Sequence, residues 1–404
     1  MRKSLLIPLF VLLTASMLLA ACGTAATPTP MVETQVQTQL VEITATPGPA
    51  MPTPLPAGSV QITAAGATFP LPIYTQWTYA YQYVDPSVVI NYNGVGSGAG
   101  KTAIIQNTVD FAGSDSLLSA QNYTDGKDLQ MYPMVAGAVV LIYNIKWNAP
   151  ASGTGPTPTP ATIPTLVLNR QTLVDIYNAK VTMWNDPEIV ATNPGLANLL
   201  PAAKITAVHR SDGSGTTEIF TRALTSFSSS WTAGGAQSVQ WPVDKAGNGI
   251  GGKGNAGVAA AVINTPNSIG YVEIAYAKAN SLTFAQMINQ SGATVTANGD
   301  SVNAAMAEFA NTFTPQLTNI IVDGKTAGVW PITGYTYIIL HTTSMTDCTK
   351  AQKIVEFLKW AQTDPSAQKA AATLGYSVLP DAVRQTVLAK LSQVTCNGGT
   401  PVAP

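Results

Sequence analysis

Charge is what this sequence of 404 residues has least of. Only 10% of its residues are charged, and 20 basic against 21 acidic side chains leave a formal net charge of −1. No basic field exists to attract a nucleic acid backbone. Histidine is scarcer still, with only His209 and His341, and there are three cysteines. Two histidines without a paired carboxylate–histidine motif give no metal cluster, so neither a metal nor a cofactor is expected. A G-x-S-x-G nucleophile elbow is also missing. Its nearest approach, Asp212-Gly213-Ser214-Gly215-Thr216, has Asp where the first glycine belongs. His209 adjoins Arg210 at a strand end and reads as a bystander rather than a base, so an enzyme is not expected.

What is plentiful is apolar. Hydrophobic residues make up 46% of the chain, enough for a large core, and the length suggests two domains once non-globular ends are removed. MRKSLLIPLFVLLTASMLLAAC places Arg2 and Lys3 before a short apolar run and small residues before Cys22. The run is short for a membrane span, and the ending Leu19-Ala20-Ala21-Cys22 resembles a bacterial lipobox. Residues 1–21 are thus expected to be a lipoprotein signal peptide, with Cys22 the lipid attachment point. Its removal takes Arg2 and Lys3 with it and moves the net charge from −1 to −3. Residues 22–59 are rich in Thr and Pro, and such proline density forms neither a helix nor a central strand, so they read as a disordered tether. The segment 151–162, ASGTGPTPTPAT, reads as a surface insert. Export implies a compartment without ATP that permits disulfides, and Cys348 and Cys396 are expected to pair.

From residue 61 the pattern alternates. Strands are predicted at 61–67, 88–93, 109–115, 134–145, 205–210 and 333–341, and an extended segment at 268–275. Helices are predicted at 70–84, 100–108, 171–181, 214–227, 254–265, 351–362 and 382–393. This alternation argues for an α/β fold with ligand loops at the carboxyl ends of strands. No internal repeat is visible.

The stretch NGVGSGAGKT (93–102) looks like a phosphate-binding loop of a nucleotide enzyme, but the register misses by one. Val95 stands where the first glycine belongs. Lys101 then has no nucleotide to meet and is expected to face solvent. The loop still aims backbone N–H groups at an anion. Three other strand-to-helix junctions share its chemistry: AAGATFP (64–70) with Thr68 and Phe69, AGSD (112–115) with Asp115, and HRSDGSGTT (209–217) with Arg210, Asp212, Ser214, Gly215 and Thr216. Each alone has a bland reading, since Ser97 and Ser214 serve equally as helix caps and glycines serve turn geometry. Four together, with one arginine among them, point to a tetrahedral oxyanion.

These residues also carry a resemblance. GATFP, NYNGVGSGAG, NTVDFAGSD, RSDGSGTTEIF, GGKGNAGVAAAV, GYVEIAYAKAN and WPITGYTYIIL together closely resemble the phosphate-binding component of bacterial high-affinity phosphate ABC transporters, over about residues 61–395. The resemblance implies a two-lobed periplasmic-binding-protein fold of type II, α/β in class, with the ligand in a cleft between lobes joined by a hinge. One lobe would combine 60–135 with 328–404, and the other would be 136–327. It implies that Thr68, Phe69 (through its N–H), Ser97, Asp115, Arg210, Ser214, Gly215 and Thr216 hold inorganic phosphate, with Asp212 orienting Arg210. It further implies a monomeric extracytoplasmic receptor that delivers phosphate to ABC permease subunits. The insert, the long tether and the order of Ala112-Gly113 depart from the family pattern.

Asp115 is the odd member of this set, because a carboxylate repels an anion. Hydrogen phosphate still carries a proton to donate to it, whereas sulfate has none. A sulfate would leave a buried carboxylate unpaired, at a cost of at least ~1–3 kcal/mol. A receptor for sulfate or molybdate, a secreted phosphatase, and a surface protein for adhesion or sensing remain as alternatives at this point.

Overall fold

The computed structural model of the chain describes residues 59–149 and 164–402. The expected signal peptide, Cys22, the tether up to residue 58 and the insert at 151–162 lie outside the described residues.

Nine strands form the main sheet. They are β1 (Val60–Gly66), β2 (Val88–Gly94), β3 (Phe111–Ser114), β4 (Leu129–Asn144), β5 (Thr206–Arg210), β6 (Gly249–Gly252), β7 (Ser268–Glu273), β8 (Thr333–His341) and β9 (Ser377–Val378). Their order is β2-β1-β3-β8-β4-β7-β5-β6, with β9 also on β4. In β8, TGYTYIILH, every residue is buried, Thr333, Thr336 and His341 included, as befits a strand covered on both faces.

The long strand β4 divides the sheet. Its first part, Leu129 to Ala138, pairs antiparallel with β8, and its last part, Val139 to Asn144, pairs antiparallel with β7. Each half adds its own parallel strands: β1, β2 and β3 on one side, β5 and β6 on the other. Since β7 runs against β4 and β5 runs with β7, the carboxyl ends of β5 and β6 point back toward those of β1, β2 and β3. Two sets of strand ends therefore face each other across the middle of one sheet. This is the two-lobed α/β arrangement that the family resemblance implies.

Most predicted elements appear within a few residues, and the differences have causes. The strand predicted from Met134 begins at Leu129 and runs through Pro133. A proline in a central strand is tolerated here because the register against β8 shifts between Thr336 and Tyr337. The extended segment at 268–275 ends at Glu273, whose side chain caps a new helix, Ile274–Ala279. The helix predicted from Gly100 begins at Ser97.

That last helix, α2 (Ser97–Ile105), explains the glycines of NGVGSGAG. Gly96 has φ 96°, a left-handed conformation that side chains rarely adopt. Gly100 faces β1 so closely that a Cβ would lie 2.6 Å from the Gly66 Cα. The run is thus a tight turn followed by a helix packed directly on a strand. Lys101, expected at the surface, is buried, and its Nζ donates to the Leu117 carbonyl at 3.2 Å. Burial pushes its pKa down, against the opposing pull of Glu218.

Cys348 and Cys396 form a disulfide, with their Cα atoms 5.4 Å apart. It ties the start of helix Cys348–Thr363 to the short terminal hairpin at Thr395–Cys396.

Gly100→Ala separates propensity from packing. In an open helix this change stabilises by about 1 kcal/mol. Here overpacking against Gly66 costs about 1–3 kcal/mol, so urea denaturation should show a net loss. A more stable variant would disprove the close helix–strand contact.

Candidate anion-binding site

The loops leaving β1, β2, β3 and β5 meet where the two halves of the sheet face each other. Three run into helices: α1 (Leu71–Tyr81), α2, and α3 (Gly215–Phe227). A fourth helix, α4 (Gly254–Asn264), follows β6 into the same place. Helix starts carry N–H groups without intrahelical partners and the positive end of the backbone dipole.

Arg210 is the last residue of β5. Its backbone N–H donates to the Tyr271 hydroxyl at 3.1 Å, and Tyr271 stacks on Phe220 with ring centroids 4.1 Å apart. Rigid aromatic packing thus holds the arginine's base. Its guanidinium, only 1% exposed, forms two parallel bonds to Asp212: Nε to Oδ1 at 2.7 Å and Nη2 to Oδ2 at 2.5 Å. Burial disfavours the Asp212 charge, but these bonds outweigh it and hold the carboxyl below its usual range. Asp212 Oδ1 also accepts from the Gly254 N–H at 3.0 Å. On its other edge Arg210 Nη1 reaches Thr216 Oγ1 at 3.4 Å.

Ser97, at the start of α2, has a fully buried hydroxyl. It accepts from the Asp115 N–H at 3.2 Å and from the Gly215 N–H at 3.1 Å. Both lone pairs are then engaged, and what remains is one proton to donate. Gly215 is glycine for a steric reason: a Cβ would lie 2.5 Å from Asp115 Cβ and 2.6 Å from Ser97 Oγ. Ser214 caps α3, its Oγ accepting from the Thr217 N–H at 3.1 Å. Thr68 and Phe69 lie buried in the β1–α1 turn, tied down through their carbonyls. The Tyr276 hydroxyl donates to Thr68 O at 2.5 Å, and the Tyr376 hydroxyl contacts Phe69 O at 2.7 Å.

Asp115 closes the group at the end of β3. It is buried, and its Oδ1 has no hydrogen-bond partner among the described residues. Burial pushes its pKa up to about 7, against the opposing pull of the Thr336 hydroxyl and the Arg210 charge. A buried carboxylate oxygen without a partner calls for an explanation. A ligand able to share a proton with it supplies one.

All eight predicted contact residues and Asp212 therefore come together. Sequence reasoning missed others at the same place. Asn255, Tyr276, Tyr376 and Glu273 hold the Thr68–Phe69 turn from outside, and Gln237 accepts from the Ser116 hydroxyl at 3.2 Å. GGKGNAG, a further Gly-rich strand-to-helix junction, marks the place in the sequence but not the role of Asn255. His209 packs away from the site, stacked on Trp241 with its ring nitrogens at Arg210 O and Asp244.

A cavity of about 620 Å³ lies apart from these residues, lined by Asp110, Asp128, His341 and Lys350 among others. It contains a serine, a histidine and an aspartate in contact, but not in a nucleophile's geometry. Ser344 Oγ donates to Asp128 at 2.9 Å, and His341 Nε2 is engaged by the Ile104 carbonyl at 3.1 Å.

The PBP superfamily domain matches residues 44–365. The phosphate-binding protein PstS of Pasteurella multocida is 38% identical over 328 residues, covering 80% of this chain and 88% of that protein. The chain belongs to the PstS phosphate-binding protein family. The family's reach is wide: PstS of Methanocaldococcus jannaschii is 33% identical over 344 residues, covering 81% of this chain and 85% of its own. A solved structure of a periplasmic phosphate-binding protein (PfluDING) shares the fold, with a TM-score of 0.62 at 22% identity, covering 82% of this chain and 93% of that one.

The raised Asp115 pKa has a sign that can be tested. The folded state holds a proton that the unfolded state releases near the ordinary carboxylate value of 3.8. Between there and about pH 7 the native state binds more protons, so this contribution to stability falls as pH rises, then levels off. The slope is at most about 1.4 kcal/mol per pH unit. In phosphate-free protein, the stability difference between wild type and Asp115→Asn should shift across that window. A constant difference would mean that Asp115 titrates normally.

Proposed function

We propose that the chain is an extracytoplasmic receptor that captures inorganic phosphate in this site and delivers it to the permease subunits of an ABC transporter. The observation that carries the reading is the pairing of a donor-rich shell with one buried carboxylate, Asp115, whose Oδ1 has no hydrogen-bond partner among the described residues. Arg210, the hydroxyls and the helix-start N–H groups all donate, while Asp115 accepts. A tetrahedral oxyanion that keeps one proton satisfies both sides. Membership of the PstS family supports the same ligand.

In this reading Thr68, Ser97, Ser214 and Thr216 donate through hydroxyls, and Phe69 and Thr216 through backbone N–H groups. The Gly215 N–H is engaged by Ser97 Oγ, and Gly215 serves by letting the start of α3 approach Asp115 and Ser97 without a side chain. Arg210 donates through the nitrogens that Asp212 leaves free. The lobes are 60–135 with 328–404, and 136–327. The exchange of partners along β4 at Ala138 and Val139, together with the start of β8 at Thr333, supports those limits. The protein binds phosphate rather than transforming its esters. Ser97 has no lone pair left for attack, and His209 has no free ring nitrogen directed at the site. Among the described residues no helix is long and apolar enough to cross a membrane. The pattern Leu19-Ala20-Ala21-Cys22 supports attachment by lipid at Cys22, with the receptor acting as a monomer at the membrane surface.

Two measurements test this. In calorimetric titration, Arg210→Ala should weaken phosphate binding by at least about 1.5–3 kcal/mol, the range for lost charge-assisted bonds. Unchanged affinity would move the site elsewhere. Sulfate discrimination should depend on pH. Above about pH 7 the Asp115 carboxylate rejects sulfate; below it the protonated carboxyl can donate a hydrogen bond, and the phosphate preference should shrink. Asp115→Asn should show a reduced preference at every pH. A wild-type preference with no pH trend would remove this role from Asp115.

A further inference from the structure

Asn255 is fully buried in the first turn of α4. Its orientation is fixed. The side-chain Oδ1 accepts from the Glu273 N–H at 2.9 Å, and a backbone N–H can only donate, so the oxygen must face it. The amide nitrogen then points the other way. Nδ2 donates to Thr68 Oγ1 at 2.9 Å and to Thr216 Oγ1 at 3.1 Å. The Asn255 backbone N–H adds a second bond to Thr68 Oγ1, at 3.2 Å.

A hydroxyl has one proton and two lone pairs. At Thr68 both lone pairs are taken by Asn255. At Thr216 one is taken by Asn255 and the other by Arg210 Nη1. Each threonine is left with only its proton to offer. We infer that Asn255 is a positioning residue for the bound anion: it makes the Thr68 and Thr216 hydroxyls obligate donors. This rests on the reading of the site as a phosphate cleft.

The placement adds a second consequence. Thr68 follows β1 in the first half of the sheet, whereas Thr216 and Asn255 belong to the second. The bonds that orient the Thr68 hydroxyl come from the opposite half. The Asn255–Thr68 bonds therefore join the two halves at the site.

A double-mutant cycle tests this with phosphate as the probe. Asn255→Ala and Thr68→Val should each weaken binding about tenfold or more, the scale of a lost hydrogen bond in a buried site. The double variant should be little weaker than Asn255→Ala alone, because Thr68 without Asn255 is no longer aimed, while it should be weaker than Thr68→Val, which keeps Thr216 oriented. Fully multiplicative losses, or wild-type affinity in Asn255→Ala, would overturn the assignment. Should Asn255→Ala fail to fold, Asn255→Asp retains the acceptor for Glu273 but replaces the donor by an acceptor. It should lose phosphate binding at neutral pH and recover part of it in acid, where the carboxyl regains a proton. Retained affinity at neutral pH would overturn the inference. Wild-type protein that binds no phosphate would instead overturn the phosphate reading, and this inference with it.

Discussion

A guanidinium cannot be buried without a partner, and the Arg210–Asp212 pair meets that constraint at the centre of the molecule. The geometry is bidentate, which satisfies one edge of the arginine and leaves the other for the cleft. The pair also organises its surroundings. Asp212 receives the first N–H of α4, and it lies so close to the turn before α2 that a Cβ on Gly96 would sit 2.4 Å from its Oδ2. Three strand-to-helix junctions are therefore set by one ion pair. Buried pairs add little net stability because desolvation offsets attraction. The value of this one lies in fixing where the remaining donors point.

That pairing also explains how a chain with a net negative charge can hold an anion. The arginine charge is largely cancelled by Asp212, so the site has almost no net positive charge. Attraction comes from fixed dipoles: helix-start N–H groups and hydroxyls whose lone pairs are already used. Ser97 bridges Asp115 and Gly215, and Asn255 bridges Thr68 and Thr216. Such donors need no reorganisation when the ligand arrives. They also discriminate, since a group that can only donate gains nothing from a ligand that must donate in return. Asp115 is the single acceptor among them, its pKa raised by burial, and in the proposed reading it is where the ligand's proton is shared.

The cleft sits where it does because of strand direction. The antiparallel strands β4, β7 and β8 reverse the second set of parallel strands relative to the first, so carboxyl ends face carboxyl ends. Ligands of open α/β sheets collect at such ends. A direct backbone contact across the gap is made by residues without side chains: the Gly98 N–H donates to the Gly213 carbonyl at 2.9 Å. Glycine at these positions lets the backbones themselves form the contact.

Much of this could be read from the residues in order. The apolar run at 333–341 is a strand to the residue, and the apolar spacing in 70–84 is a helix that stops at Tyr81, three residues short of its prediction. Local chemistry also marked Thr68, Ser97, Asp115 and the Arg210–Thr216 segment, since hydroxyls and glycines after a strand are a local signal. Other features depend on neighbours distant in the chain. Lys101 is buried because Leu117 offers its carbonyl, and Pro133 stays in β4 because β8 shifts register opposite it. The helices at Ala120–Gly126, Gly299–Glu308 and Pro365–Leu374 were not predicted. Asn255 is the clearest case. Nothing in GNAG distinguishes a structural asparagine from one that aims two hydroxyls, because its partners lie 187 residues away at Thr68 and 39 away at Thr216. A hydrogen bond's direction is settled by what surrounds it in space, and only the folded chain brings those groups together.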